Sequence, residues 1–201
     1  MRRILMYNRV TADGYFASPD GKLDWVVPDP ELDKSAAESI AEDGVDALLF
    51  GRRTYEMFAS FWPHALDDSK TAPDPHNPGR RGPEMKAMAV MLNETPKIVY
   101  SRTLKDVTWK NSRLVHDFDP REIESMKKQA GKDIMIFGSG TIVSELTKHG
   151  LIDEYQLVVN PVFLGTGRTL ISEVPNRSKL KLVGCKQYSA GNVILRYERA
   201  S

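Results

Sequence analysis

The feature that most constrains this chain is its alternation: short apolar runs trade places with stretches of helical periodicity, and glycine marks many of the joints. The segments Arg3 to Val10, Val45 to Phe50, Lys97 to Ser101, Arg113 to Val115, Asp133 to Phe137 and Tyr155 to Val159 have strand length and composition. Between them, Leu32, Ala36 and Ile40 fall on one helical face behind an Asp29-Pro30 start and ahead of Gly44. A second helix opens at Gly51 to Thr54, a third runs from Glu84 to about Leu92, and Asp119-Pro120-Arg121-Glu122 reads as a capping box. A further helix carries Ile142, Val143 and Leu146 and ends at Gly150. A parallel neighbour is reached only through a crossover, so this order predicts an α/β fold, a mostly parallel central sheet with helices on both faces. The last two strands, Leu180 to Tyr188 and Val193 to Glu198, flank Ser189-Ala190-Gly191-Asn192 and predict an antiparallel C-terminal hairpin.

One domain spanning 1–201 is expected, interrupted by a Pro-rich loop at about 61–83 that is too poor in apolar residues to be a domain. The charges nearly cancel, 28 Lys+Arg against 27 Asp+Glu, which leaves no broad basic face for nucleic acid or an anionic membrane and favours a small-molecule partner. A single cysteine, Cys185, allows no intrachain disulfide or thiolate cluster, and it reads as a small core residue of a terminal strand. The histidines His64, His76, His116 and His149 have no metal-ligand spacing, so no metal is expected. The opening residues turn polar before signal-peptide length and no apolar run is long enough to span a bilayer, so a soluble, cytoplasmic protein is expected.

Two strand-to-helix junctions carry the chemistry. Phe50-Gly51-Arg52-Arg53-Thr54 places a glycine, two guanidinium groups and a hydroxyl where unpaired N–H groups of the next helix point outward, which suits a phosphate. Phe137-Gly138-Ser139-Gly140-Thr141 clears side chains so that backbone can approach an anion. In an open α/β sheet, two such turns meet at the carboxyl edge of the strands. The Rossmann fingerprint is not matched, because Val143 stands where its third glycine or alanine belongs. Neither a Walker loop nor a Gly-x-Ser-x-Gly elbow occurs. Gly165-Thr166-Gly167-Arg168 reads either as a third anion-approach loop or as a plain turn.

Taken in order, Asp13-Gly14-Tyr15-Phe16-Ala17, Leu23-Asp24-Trp25, Gly51-Arg52-Arg53-Thr54-Tyr55-Glu56, Val99-Tyr100-Ser101-Arg102 and Gly138-Ser139-Gly140 resemble the dihydrofolate reductase superfamily. Asn160-Pro161-Val162-Phe163-Leu164-Gly165-Thr166-Gly167 resembles its branch related to the C-terminal reductase domain of the bifunctional riboflavin-biosynthesis deaminase/reductase. The resemblance covers Arg3 to Arg199 and implies a three-layer, dihydrofolate-reductase-like fold and a homodimer. It also implies NADPH as cofactor, with Arg52 and Thr54 at its phosphates, Ser101 and Arg102 near the 2′-phosphate, and Gly138, Ser139, Gly140, Thr141 and Ile142 around the pyrophosphate. Asp13, Trp25 and Gly165 would lie on the substrate side. The proton source would be Glu31, with Asp33 second, both near the start of the first helix. No deaminase zinc motif is present, so the implied activity is that of an NADPH-dependent reductase of a small heteroaromatic substrate, resembling 5-amino-6-(5-phosphoribosylamino)uracil reductase. A dihydrofolate reductase and a non-catalytic NADPH-binding protein stay open beside it.

Overall fold

The computed structural model describes residues 1–65, 83–172, 174 and 177–200. Ten strands and five α-helices follow in chain order: β1 Ile4–Thr11, β2 Tyr15–Ala17, α1 Pro30–Asp43, β3 Val45–Gly51, α2 Arg52–Phe61, α3 Pro83–Glu94, β4 Lys97–Tyr100, β5 Ser112–Val115, α4 Pro120–Lys128, β6 Asp133–Phe137, α5 Gly140–Lys148, β7 Glu154–Asn160, β8 Arg168–Thr169, β9 Leu180–Gln187 and β10 Val193–Arg199. Eight of the strands form one sheet in the order β5-β4-β3-β6-β1-β7-β10-β9. Every pairing from β5 through β7 is parallel, and only β10 runs against its neighbours. The expected α/β architecture, with its antiparallel terminal hairpin, is the one the chain adopts.

The sheet is covered on both sides because strand alternation sends an apolar set to each face. Ile4, Met6, Val10, Leu49 and Ile136 pack with Ile123 of α4 and Ile142, Val143 and Leu146 of α5. Leu5, Leu48, Phe50, Val99 and Met135 pack against Tyr55 of α2, Leu92 of α3 and Ile40 of α1. Farther along, Leu32 of α1 meets Val158, Tyr188 and Ile194. At the sheet edge, Leu180, Leu182, Val183 and Cys185 of β9 are all exposed. Cys185 is therefore not a core residue: its strand is an edge of the sheet, touched by α1 through polar contacts such as Lys186 Nζ to Ser35 Oγ at 3.3 Å.

Tyr15 to Ala17 lie outside the main sheet and pair antiparallel with β8. One more expectation changes. The N-terminal part of the expected 61–83 loop is ordered: Phe61 ends α2, Trp62–His64 forms a 3₁₀ turn, and Phe61 and Ala65 are buried with Ala89. The rest of that loop, with His76, Arg80 and Arg81, lies outside the described residues.

Candidate functional site

The carboxyl ends of β1, β3, β4 and β6 converge on one cavity of about 1340 Å³. Its walls include Tyr7, Asn8 and Arg9 from β1, Gly51 to Thr54, Tyr100 and Ser101, and Phe137 through Ile142. This is the sheet edge at which open α/β folds place ligands, with β1 as the strand from which the chain builds outward in both directions.

The two junctions are bonded to each other. Ser139 Oγ donates to the carbonyl of Phe137 at 2.8 Å and accepts from the Gly51 N–H at 3.0 Å. The Ser139 N–H donates to Thr54 Oγ1 at 2.8 Å, across 85 residues of sequence. Gly138 has a φ of +53°, and a Cβ there would lie 2.6 Å from Thr54 Oγ1. A Cβ on Gly140 would lie 2.9 Å from the Phe16 ring and 3.1 Å from the Leu170 carbonyl. Glycine is thus required at both positions for the close approach of the two junctions and of β2.

Capping separates α1 and α4 from α2 and α5. α1 and α4 begin on aspartates that hold their first amides: Asp29 accepts from Leu32 N–H and Asp119 from Arg121 N–H. The Asp119 bond falls one residue short of a capping box, which places it on the third helical residue. α2 and α5, which both start in the cavity wall, have no side-chain cap. Four N–H groups at each such end lack intrahelical partners, and the positive end of each helix dipole adds to them. Arg52 and Arg53 stand beside them, exposed on the wall. Arg52 donates to Glu56 at 2.9 Å and to Thr103 Oγ1 at 2.8 Å.

The other end of the cavity is built differently. Phe58 stacks on Phe137 with centroids 5.9 Å apart, and Tyr7 meets Phe137 edge-on at 6.0 Å. Below them Arg9 Nη2 donates to Asp33 Oδ1 at 2.7 Å, while Arg9 Nη1 is buried without a hydrogen-bond partner. Burial pushes the Tyr7 phenol up to about 12, against the pull of Arg9 and with the help of Asp33 and Tyr188. Tyr7 therefore stays protonated throughout the physiological range.

Arg52, Thr54, Ser101 and Gly138 through Ile142 all lie in this wall, so the residues expected to hold a dinucleotide are brought together. Thr54 and Ser101 are engaged with backbone, Thr54 Oγ1 with Ser139 N–H and Ser101 Oγ with the N–H groups of Thr103 and Leu104. Arg102 is outside the wall, exposed and 4.0 Å from Asp117. Glu31 is exposed and also outside it, whereas Asp33 is in the wall; residues two apart on a helix are turned by roughly 200°, so one facing the cavity directs the other away. Trp25 is buried behind the wall formed by Leu23 and Val26. Asp13 and Gly165 meet each other away from the cavity: the Asp13 carboxylate accepts from the Leu164 N–H at 3.0 Å and the Gly165 N–H at 2.7 Å. The Gly165 loop does approach an anion, and that anion is the chain's own Asp13, whose carboxyl is held below its ordinary range first by the Thr11 hydroxyl, against the next largest effect, desolvation, and with the help of the Gly165 and Leu164 amides. Tyr7 and Arg9 were not among the expected residues. Their signal was the only charge on a central strand, two positions from an aromatic on the same face.

Among the described residues no three His, Cys, Asp or Glu side chains come together as a metal site, and no helix is long and apolar enough to cross a membrane.

The open, mostly parallel sheet with its cavity at the carboxyl edge is a dihydrofolate-reductase-like fold, shared with the solved structures below. The family model of the RibD C-terminal domain matches residues 2–194, and the chain belongs to that family. An uncharacterised protein of Bacillus subtilis strain 168, YyaP, is 29% identical over 98% of this chain and 94% of its own length. The fold is shared with a putative riboflavin biosynthesis protein from Shewanella sp. PV-4, at a TM-score of 0.73, 23% identity and full coverage of both chains. It is shared more distantly with an Enterococcus faecalis dihydrofolate reductase complexed with NADP(H), at a TM-score of 0.56 and 15% identity over 99% of this chain and 97% of that one.

Proposed function

We propose that this protein is an NADPH-dependent reductase of a small heteroaromatic substrate, acting as a cytoplasmic enzyme similar to 5-amino-6-(5-phosphoribosylamino)uracil reductase. The observation that carries the reading is the division of one cavity into two chemistries. Two uncapped helix N-termini flanked by Arg52 and Arg53 form one end, and an aromatic and ion-paired floor of Tyr7, Phe58, Phe137, Arg9 and Asp33 forms the other. At about 1340 Å³ the space exceeds the roughly 300–1,000 Å³ of a pocket for one drug-sized ligand and accommodates a cofactor beside a substrate.

The residues present fit NADPH. The cradle at Gly138 and Gly140 leaves no room for a Cβ, and the amides of α2 and α5 together with Arg52 and Arg53 supply donors for phosphates. Two guanidinium groups favour a cofactor with an additional phosphate over NADH. When bound, the reduced nicotinamide supplies a hydride; the protein supplies placement and electrostatics. Phe137, at the joint between the two ends, and Phe58 stacked on it offer a flat apolar wall for a ring, and Asp33 replaces Glu31 as the carboxylate facing that ring.

The test is a fluorescence titration with NADPH and with NADH on the wild type and on Arg52→Ala. The wild type should saturate with NADPH at far lower concentration than with NADH, and R52A should lose about tenfold in NADPH affinity with little change for NADH, as expected for one charge-assisted phosphate contact. A wild type that binds neither nucleotide would sink the reductase reading. Binding without oxidation of NADPH by pyrimidine or pterin acceptors would favour the non-catalytic alternative, and reduction of dihydrofolate blocked by Asp33→Asn would favour the dihydrofolate reductase one.

A further inference from the structure

The floor of the cavity holds a set of groups that cofactor binding does not use. Tyr7 and Arg9 project from the same face of β1, two residues apart, and Asp33 reaches them from α1. Arg9 spends Nη2 on Asp33, but its Nη1 is buried with no hydrogen-bond partner, and the Tyr7 hydroxyl forms no hydrogen bond among the described residues. A buried guanidinium donor left unmet is destabilising, so folding alone gives no reason to retain it. Asp33 holds the guanidinium through Nη2, which leaves Nη1, the buried nitrogen of a cavity-lining side chain, without a partner.

We propose that Tyr7 and Arg9 form a donor pair for the heteroatom of the substrate's reducible C=N or C=O bond, with Asp33 as the positioning residue that holds Arg9. This rests on the reductase reading and names how the same cavity recognises its acceptor: as a planar ring with an acceptor nitrogen or oxygen at its inner edge. The reduced cofactor, when bound, would supply a hydride with its two electrons to the acceptor carbon, leaving as its oxidised form, and the displaced π pair would settle on the heteroatom. Tyr7 O–H and Arg9 N–H hold the negative charge that develops there, and a proton from water completes the reduction. Neither side chain gives up its own proton. A phenol held protonated to about pH 12 and a guanidinium are suited to that role, because both remain donors over the whole working range.

The probe is lumazine, a planar pteridinedione with ring nitrogens and carbonyls, titrated by fluorescence into protein already saturated with NADPH. Tyr7→Phe removes one hydroxyl. Arg9→Lys keeps a cation beside Asp33 but has no second nitrogen for the ligand. Each variant should weaken lumazine about fivefold to tenfold while leaving the NADPH dissociation constant within twofold, and kcat with any reducible acceptor should fall more than KM rises. If wild type binds NADPH but not lumazine, or if both variants bind lumazine as tightly as wild type, the donor pair is wrong and the reductase reading stands. If wild type fails to bind NADPH, the reading and the pair fall together.

Discussion

Gly138→Ala tests the physical basis of the site in one atom. The glycine has a φ of +53°, where an alanine costs about 1–2 kcal/mol relative to ordinary backbone. Its new Cβ would stand 2.6 Å from Thr54 Oγ1 and 2.9 Å from Thr54 Cγ2, so Thr54 must move. Thr54 cannot move without weakening the 2.8 Å bond it accepts from the buried Ser139 N–H, and an orphaned buried donor costs about 1–3 kcal/mol. The sum is about 2–5 kcal/mol, which for a domain of this size lowers Tm by roughly 7–14 °C at its centre. Urea denaturation measures the loss, and the NADPH titration measures the accompanying disorder of the phosphate cradle. The clash and the bond share Thr54, so G138A combined with Thr54→Ala should be less destabilised than the two single changes added together, by about 1 kcal/mol. A G138A variant within about 0.5 kcal/mol of wild type would refute the argument, as would strict additivity with T54A.

Two other outcomes are expected. Lys97 is buried, with Nζ donating to the carbonyls of Asn93, Thr95 and Lys110, and burial followed by the Lys110 charge pushes its pKa down to about 8 against the attraction of Glu94. The unfolded chain keeps that proton to 10.5, so it binds more protons than the native state above pH 8 and stability rises by about 3 kcal/mol toward pH 10; beyond that, Tyr7 and Tyr100, both raised to about 12, retain protons the unfolded chain releases, and stability falls. Urea midpoints measured from pH 7 to 11 should show this maximum, and in Lys97→Met the rise between pH 8 and 10 should vanish; a rise of equal slope in the variant would show that Lys97 is not its source. The outer edge of β9, with Leu180, Leu182 and Val183 exposed, should pair with the β9 of a second copy to give the homodimer the family resemblance implies. Sedimentation should then return twice the chain mass for wild type and a shift toward one chain for Val183→Lys; a wild type that sediments as one chain would end the proposal.

What was legible in the sequence follows from which features are local. The two junctions were readable because a glycine at the end of an apolar run, followed by a polar helix start, is written in consecutive residues, and the helix caps at Asp29 and Asp119 are local in the same way. Cys185 was misplaced because strand composition identifies a strand without telling where it stands in the sheet; β9 has apolar residues on both faces yet stands at the sheet edge, where they stay exposed. The choice between Glu31 and Asp33 turned on helix phase, which a difference of two residues reverses and which only the packing of Leu32 against Val158, Tyr188 and Ile194 fixes. The Tyr7–Arg9–Asp33 floor needed still more. It exists only once β1 is seated between β6 and β7, with Tyr7 registered opposite Phe137, and α1 has returned across the same face of the sheet. A guanidinium on a central strand is the one trace of it in the sequence. Placing such a charge inside a central strand is costly unless a partner arrives from another element, so it marks a position whose meaning lies in the tertiary structure rather than in its neighbours.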